Sequence, residues 1–202
     1  MKSPFPFRLH GSWLHRLSGS AIALALALLC TGSLAAEAPP KVVLETSLGN
    51  IVIELYPDEA PETVASFLGH VDSGFYEDTL FHRVIKRFMV QGGGYTRDLE
   101  YKDPGTTVVN ESDNGLRNER WTVAMARTDD PDSAGSQFFI NLRMNPSLDA
   151  GMGRAGYTVF GRVVEGQYVV REISLVETGA VAGLEDVPLE PVLIHRARLE
   201  AP

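Results

Sequence analysis

Alternation of apolar and polar residues dominates the chain after residue 40 and predicts a mainly β protein. The segment KVVLETSLGNIVIELYP alternates on both sides of Leu48, Gly49 and Asn50, which is typical of a β-hairpin. Residues 177–190 lack this alternation and are predicted to form a long surface loop. Further short strand-like segments lie at residues 80–85, 88–91, 122–126, 137–142, 157–164 and 191–199.

Two segments show helical periodicity instead. The first begins near Pro61 and is suited to end at Gly74, and its apolar stripe consists of Val64, Phe67, Leu68 and Val71. The second covers residues 166–176. Seven or eight short strands with two helices indicate either a closed antiparallel barrel or a sandwich, and periodicity alone does not decide between these two architectures.

Residues 1–36 are predicted to be a cleavable signal peptide. They contain three basic and no acidic residues, and the apolar run at 21–30 is shorter than the roughly 20 residues that span a bilayer. Cleavage is expected after Ala35 or Ala36, and an uncleaved anchor is the alternative. Residues 37–41 are then a short linker, and one domain occupies 42–202.

Composition narrows the possible functions of the predicted mature chain. Its fifteen basic and twenty-six acidic side chains give a net charge of −11, which argues against nucleic acid or an anionic membrane as a partner. The single cysteine, Cys30, lies in the signal segment, so the mature chain has no thiol for a disulfide or a metal site. We predict an exported, periplasmic protein that is monomeric and has no cofactor or metal.

The strongest candidate for a functional site is the segment at residues 81–94, FHRVIKRFMVQGGG, in which Arg83 lies among apolar residues. In a strand, Arg83 and Ile85 share one face while His82 and Val84 occupy the other. An arginine on a concave apolar face could bind a substrate carbonyl, because its guanidinium carries fixed donors. The ordinary alternative is a strand arginine that reaches solvent or pairs with a carboxylate. His82, on the opposite face, is predicted to be structural.

Four motifs together resemble those of the cyclophilin family of peptidyl-prolyl cis/trans isomerases. They are FHRVIKRFMVQGG at 81–93, VAMAR at 123–127, SAGSQFFIN at 133–141 and YTVFGRV at 157–163. The segment NESDNGLRN at 110–118 is similar to the bacterial exported branch. This resemblance implies an eight-stranded closed antiparallel barrel with two capping helices. It also implies an isomerase that assists the folding of exported proteins by binding their X-Pro segments.

The resemblance also implies a role for individual residues. Arg83 would be catalytic and stabilise the twisted amide, with Gln91 supporting it. The expected substrate-binding residues are Ile85, Phe88, Met89, Ala126, Arg127, Gln137, Phe139, Leu148 and Tyr157. Period 2 places Phe139 on the same strand face as Gln137 and leaves Phe138 for the core. Arg127, where the family often has asparagine, could favour acidic residues that flank the proline.

One departure from the family pattern concerns Ser147, which stands where an aromatic residue is usual. Either that side of the pocket is open, or Met144 or Met152 replaces the aromatic ring. Retained isomerase activity with weak binding of cyclosporin is therefore expected.

Two other functions fit parts of the pattern. A binding module could use the same groove without catalysis, although the presence of Arg83, Gln91 and Phe139 favours the enzyme. A ligand-carrying barrel of the lipocalin type would need an internal cavity, which large side chains would fill in a barrel of this size. The acidic run at 129–132 lacks the ligand spacing of a calcium loop and is predicted to be a solvated turn.

Overall fold

The computed structural model describes residues 38–201, so the predicted signal peptide lies outside the described residues. Within 38–201, no helix is both long enough and apolar enough to cross a membrane. The elements are β1 (Lys41–Thr46), β2 (Gly49–Leu55), α1 (Pro61–Asp72), β3 (Thr79–Leu80), β4 (Arg83–Ile85), β5 (Met89–Gly92), β6 (Thr122–Met125), β7 (Phe138–Asn141), a 3-10 turn (Pro146–Leu148), β8 (Val159–Glu165), α2 (Gln167–Ile173), β9 (Thr178–Val181), β10 (Leu184–Pro188) and β11 (Leu193–Leu199).

Nine of the strands form one strongly curled antiparallel sheet in the order β3-β11-β1-β2-β8-β6-β7-β5-β4. Its two edge strands, β3 and β4, are separated in the chain by only Phe81 and His82, so the sheet has to curl back on itself. The Leu80 N–H donates to the Tyr95 carbonyl at 3.1 Å, which joins β3 to the segment after β5. The prediction of a mainly β antiparallel fold with two helices is confirmed, and where a closed barrel of eight strands was predicted, the structure has a half-barrel of nine strands.

The predicted hairpin at the start of the domain is present as β1 and β2, paired from Lys41–Glu54 to Thr46–Gly49. The prediction of a surface loop at 177–190 is wrong, because β9 and β10 form a separate two-stranded hairpin there. Its turn residues Ala182 and Gly183 both have positive φ, 50° and 83°. Most side chains of β9 are only partly buried, so the hairpin has no apolar alternation that could have revealed it.

Aromatic rings fill the space between α1 and the concave face of the sheet. Phe67 of α1 is fully buried, and its ring centroid lies 5.0 Å from that of Phe160, 5.3 Å from that of Tyr76 and 5.9 Å from that of Phe138. The Tyr76 hydroxyl donates to the Ser136 carbonyl at 2.9 Å, which satisfies the one polar atom of the cluster. Large side chains thus occupy the space that a ligand-carrying barrel would need.

A distant carboxylate caps the amino end of α1. The residue before the helix, Ala60, has no side-chain cap, and Glu111 supplies one from the loop that precedes β6. Its carboxylate accepts from the Glu62 N–H at 3.1 Å, the Thr63 N–H at 2.9 Å and the Thr63 hydroxyl at 2.6 Å. A negative charge at this position is favoured by the helix dipole and by the free N–H groups of the first turn.

Candidate active site

The hairpin of β4 and β5 places Arg83 directly opposite Gln91. Arg83 is exposed, and its neighbour Val84 is buried on the opposite face, as period 2 requires. Ile85 pairs with Met89 further along the same hairpin, so the two pairs lie on one surface. The face predicted for Arg83 from strand periodicity is confirmed by these positions.

Strand β7 continues this surface. Phe139 lies opposite Gln91 of β5 and opposite Ala124 of β6, and only 4% of its surface is exposed. Its neighbour Phe138 is fully buried in the aromatic core on the other face. The sequence-based division of this pair, with Phe139 on the pocket side and Phe138 in the core, is therefore correct.

Nine of the eleven predicted site residues line one pocket of about 140 Å³. The lining combines apolar side chains with one free guanidinium and one amide, and consists of Arg83, Phe88, Met89, Gln91, Ala126, Arg127, Phe139, Leu148 and Tyr157. The remaining two stand beside it. Ile85 packs against the apolar cluster under the pocket, and the side chain of Gln137 lies behind Gln91. The structure thus brings all the predicted residues together, while their chemical roles remain predictions.

The two glutamines form the polar margin of the pocket. Gln91 Nε2 donates to Gln137 Oε1 at 2.9 Å, which restrains the Gln91 amide beside Arg83. Gln137 packs directly on the backbone of Gly94, where any Cβ would overlap its side chain. The preceding Gly93 has a φ of +80° and touches the ring of Tyr76 in the same way. Close approach and positive φ therefore account for glycine at these positions.

His82 lies on the core side of this hairpin. Only 5% of its surface is exposed, its ring centroid is 4.6 Å from that of Tyr95, and its Nδ1 has no hydrogen-bond partner. Burial lowers the pKa of His82 to about 4, and the charge of neighbouring Arg83 acts in the same direction. His82 is consequently neutral at pH 7, and its ring lies beside Gln137 without lining the pocket.

The guanidinium of Arg127 is bound to the protein itself. It donates to three carbonyls, those of Gly156 at 3.0 Å, Ala155 at 2.9 Å and Thr128 at 2.8 Å. The guanidinium also lies 4.6 Å from the ring centre of Tyr157, whose ring packs edge-on against Phe139 at 5.6 Å. Arg127 therefore holds the Tyr157 side of the pocket, and three of its five N–H donors are bound to the protein.

A buried amide network under the pocket was not anticipated from the sequence. Asn145 Nδ2 donates to the Phe88 carbonyl at 3.1 Å and to Asn141 Oδ1 at 2.7 Å. Asn141 donates in turn to Asn118, and Asn118 donates to Asp149. Both Asn141 and Asn145 are at most 1% exposed. The sequence feature that could have indicated this network is Asn141, the last residue of the otherwise apolar strand β7. A buried amide needs a hydrogen-bond partner.

This network connects two sides of the pocket. Asn145 binds the backbone of Phe88 through its side chain, and its own carbonyl accepts from the Leu148 N–H at 2.9 Å. Because Phe88 and Leu148 both line the pocket, Asn145 fixes their separation. It is the positioning residue that the sequence motifs did not reveal.

The pocket is open beside Ser147. Ser147 is exposed, and neither Met144 nor Met152 lines the pocket. Both methionines point to solvent, with 62% and 110% relative exposure. Of the two alternatives for this side, an open wall agrees with the structure and a substituting methionine does not.

Within residues 38–201, no group of three or more His, Cys, Asp or Glu side chains is arranged to hold a metal ion. The acidic run at 129–132 instead forms a turn, in which Asp130 Oδ1 accepts from the Asp132 N–H at 3.0 Å. Asp132 Oδ1 accepts from the Asn110 N–H at 2.8 Å. These bonds agree with the prediction of a solvated turn.

Comparison with known proteins gives a consistent result over nearly the whole described chain. The family model described as "Cyclophilin type peptidyl-prolyl cis-trans isomerase/CLD" matches residues 41–199. Peptidyl-prolyl cis-trans isomerase cyp18 of Streptomyces antibioticus is 53% identical over 161 residues, which cover 78% of this chain and 97% of that protein. Peptidyl-prolyl cis-trans isomerase A of Dickeya dadantii is 49% identical over 165 residues, covering 82% and 87% of the two chains.

Solved structures show the same fold at lower sequence identity. The crystal structure of a Cryptosporidium parvum cyclophilin type peptidyl-prolyl cis-trans isomerase in the presence of the dipeptide Ala-Pro has a TM-score of 0.65 and 24% identity. The match covers 80% of this chain and 99% of that one. A second structure of the same protein has a TM-score of 0.66.

Proposed function

Because this chain belongs to the cyclophilin-type peptidyl-prolyl cis-trans isomerase family and is itself such an isomerase, we propose that its pocket binds the proline of X-Pro segments and that Arg83 stabilises the twisted amide. The observation that carries this proposal is the position of Arg83 beside Gln91 at the edge of a small apolar pocket. An exposed, charged donor at that edge can reach a bound peptide without losing contact with water.

The chemistry requires few functional groups. Rotation about an X-Pro bond is opposed by amide resonance, with a barrier of roughly 18–20 kcal/mol. No covalent bond is broken, so a nucleophile is not needed. A catalyst must hold the proline ring and donate hydrogen bonds that fit the twisted amide better than either planar isomer. The Arg83 guanidinium supplies such donors, and the Gln91–Gln137 hydrogen bond keeps the neighbouring amide in place.

The apolar lining accounts for selection of proline. Phe88, Met89, Phe139 and Leu148 surround the pocket, and its volume of about 140 Å³ gives room for a proline ring. The related Cryptosporidium parvum enzyme has been solved in the presence of Ala-Pro, which supports a proline-containing peptide as the ligand here. Ala126 and Arg127 are proposed to bind the substrate main chain through their backbone groups.

We further propose that the enzyme assists the folding of exported proteins in the periplasm and acts as a monomer. The support comes from residues 1–36, with basic residues before an apolar run, and from a predicted mature chain without cysteine. Export is tested by determining the amino-terminal residue of the protein recovered from the periplasm of its host. A start at Ala36 or Glu37 is expected, and a chain that retains Met1 would contradict cleavage.

The isomerase mechanism is tested by NMR exchange measurements on an X-Pro peptide with residues 37–202 and with Arg83→Ala. Exchange should be fast with the unchanged chain and fall about 100-fold or more with the variant, because one charged donor to the transition state is lost. Peptide affinity and the free energy of unfolding should change little. Arg196→Ala removes an exposed arginine from β11, which contributes no residue to the pocket, and is the matched control.

Two results would contradict the proposed role of Arg83. The first is an Arg83→Ala variant that keeps its catalytic rate. The second is an unchanged chain that binds the peptide but leaves exchange at the uncatalysed rate, which would indicate a binding module.

A further inference from the structure

The margin of the pocket carries a charge opposite to that of the rest of the domain. Two of the segments that contribute to its lining, 81–94 and 142–157, together contain five basic side chains and one acidic side chain, and the third, 126–139, contains one basic and three acidic side chains. The described residues outside 81–94 and 142–157 contain ten basic and twenty-four acidic side chains. The basic residues of segments 81–94 and 142–157 are Arg83, Lys86, Arg87, Arg143 and Arg154. Arg83 lines the pocket, and the other four lie within two residues of a lining residue in the sequence, or donate to the turn that carries Leu148 and the residue before it. We refer to these five residues as the basic rim.

All five side chains of the basic rim are exposed. Among residues 38–201, the ion pairs within 4.0 Å are Lys41–Glu200 and Arg198–Glu45, so no rim residue has a carboxylate partner at that distance. The one acidic residue of segments 81–94 and 142–157 is Asp149. Its Oδ1 accepts from the backbone N–H of Asn118 and from the side-chain Nδ2 of Asn118. Its charge is thus partly engaged in the buried amide network.

Neutral groups hold two of the rim arginines in place at the open side of the pocket. Arg143 Nε donates to Asn145 Oδ1 at 3.1 Å, and Arg154 Nη2 donates to the Ser147 carbonyl at 2.9 Å. A neutral acceptor fixes a guanidinium without cancelling its charge. Because the Ser147 side chain is short, it leaves this charged side of the pocket accessible to a bound peptide.

We propose that the basic rim selects X-Pro segments that carry acidic residues close to the proline. This inference rests on the proposed function, since it assumes that the pocket binds the proline ring. An acidic flanking residue would lie near several uncompensated positive charges at the mouth, whereas a basic one would be repelled. The rim also opposes the general repulsion of acidic polypeptides by the negatively charged domain.

The proposal is tested with blocked hexapeptides that contain one Ala-Pro bond and either Glu or Lys, placed two residues before or two residues after the proline. We expect kcat/KM for the Glu peptide to exceed that for the Lys peptide by about tenfold in at least one placement at low ionic strength. The ratio should fall to about twofold or less in 0.5 M salt, since exposed charges are screened. The double variant Lys86→Gln and Arg87→Gln should lower the ratio about threefold, and Arg196→Gln should leave it unchanged.

The possible outcomes separate this inference from the function on which it rests. Acceleration of all four peptides with a Glu to Lys ratio near one, or below one, in both placements would overturn charge selection while leaving the isomerase intact. A Glu to Lys ratio that is as large in the Lys86→Gln and Arg87→Gln double variant as in the unchanged chain would also overturn it. If no peptide is accelerated, including one with alanine at both positions, the proposed mechanism itself fails.

Discussion

At the scale of single residues, the two arginines of the pocket differ in what their guanidinium groups contact. Arg83 has an exposed guanidinium and no carboxylate within 4.0 Å among the described residues, so it is available to a substrate. Arg127 donates to three backbone carbonyls of the protein and so has a structural role. Residue type alone could not distinguish these two arginines. Strand periodicity identified the face of Arg83, but the partners of Arg127 come from a loop almost thirty residues away.

Ser147 is expected to determine the affinity for cyclosporin. With the pocket open on this side, the unchanged enzyme should bind cyclosporin with a Kd weaker than about 1 μM. Ser147→Trp should tighten binding about tenfold or more, because an aromatic ring would add a buried apolar contact. Isothermal titration calorimetry measures both values, with Ser147→Ala as the control for loss of the hydroxyl. Sub-micromolar binding by the unchanged enzyme would show that no aromatic side chain is needed.

His82 should make the protein less stable as the pH falls from about 6.5 to 4. Its pKa is lowered from 6.5 to about 4 by burial, so the unfolded chain binds a proton in this range that the folded chain excludes. The full effect is about 3 kcal/mol of unfolding free energy. Urea unfolding at pH 7 and pH 4 should therefore show a smaller loss for His82→Gln than for the unchanged chain.

The other titrating groups contribute equally to the pH dependence of the unfolding free energy in the unchanged chain and in His82→Gln. Their contributions therefore cancel when the two chains are compared. Substitution of the exposed His195 by Gln is the matched control for replacing a histidine at the surface. Equal losses of stability in the unchanged chain and His82→Gln would show that His82 titrates normally.

At the scale of elements, the site is assembled where three neighbouring strands and one connecting turn meet. β4, β5 and β7 supply Arg83, Gln91 and Phe139 in register, and the turn at Pro146–Leu148 supplies Leu148. The alternating pattern of the strands allowed their faces to be predicted. The turn is held by the buried amide network, whose members are scattered over about thirty residues, so no local pattern could have located it.

Gly94→Ala is expected to disturb the site through the element that carries it. A Cβ at this position overlaps the side chain of Gln137, which must move and release its hydrogen bond to Gln91. We expect kcat/KM for an X-Pro peptide to fall about tenfold, since a misplaced polar group weakens transition-state binding. Gly69→Ala is the matched control, because a Cβ there has no atom within 4 Å.

The Gln137→Ala variant tests whether Gly94→Ala lowers activity by displacing Gln137 or by disturbing the fold in general. This variant should lose activity by itself, and adding Gly94→Ala to it should cost little more, because the overlapping side chain is gone. Additive losses in the double variant would mean that Gly94 acts through another contact.

At the scale of the whole molecule, interactions between distant segments stabilise the domain. The Glu111 cap of α1 joins a loop to a helix almost fifty residues earlier in the chain. The alternation of the chain was enough to predict a mainly β fold and most strands, and the family resemblance was needed to choose a barrel over a sandwich. The cap of α1 and the hairpin of β9 and β10 were not predictable, because the cap depends on a long-range contact and the hairpin has little apolar alternation.

Removal of the Glu111 cap should lower the stability of the whole domain. Glu111→Ala leaves two backbone N–H groups and the Thr63 hydroxyl without their acceptor, and a loss of about 2 kcal/mol in unfolding free energy is expected. Urea unfolding monitored by tryptophan fluorescence measures it. The exposed Glu119 lies on the same connection, and Glu119→Ala should change stability by less than about 0.5 kcal/mol. Equal effects of the two substitutions would contradict the capping role.

The pairing of the first strand with the last has a consequence for biosynthesis. β1 lies between β2 and β11, and Val42 is paired with Leu199, the last residue of β11. A chain that emerges from a ribosome or a translocation channel with its amino terminus first therefore exposes one edge of β1 until β11 appears. The curled sheet can be completed only after β11 has emerged. An enzyme proposed to help other exported chains to fold thus passes through its own interval as an incomplete sheet, during which it is open to aggregation and to the help of chaperones.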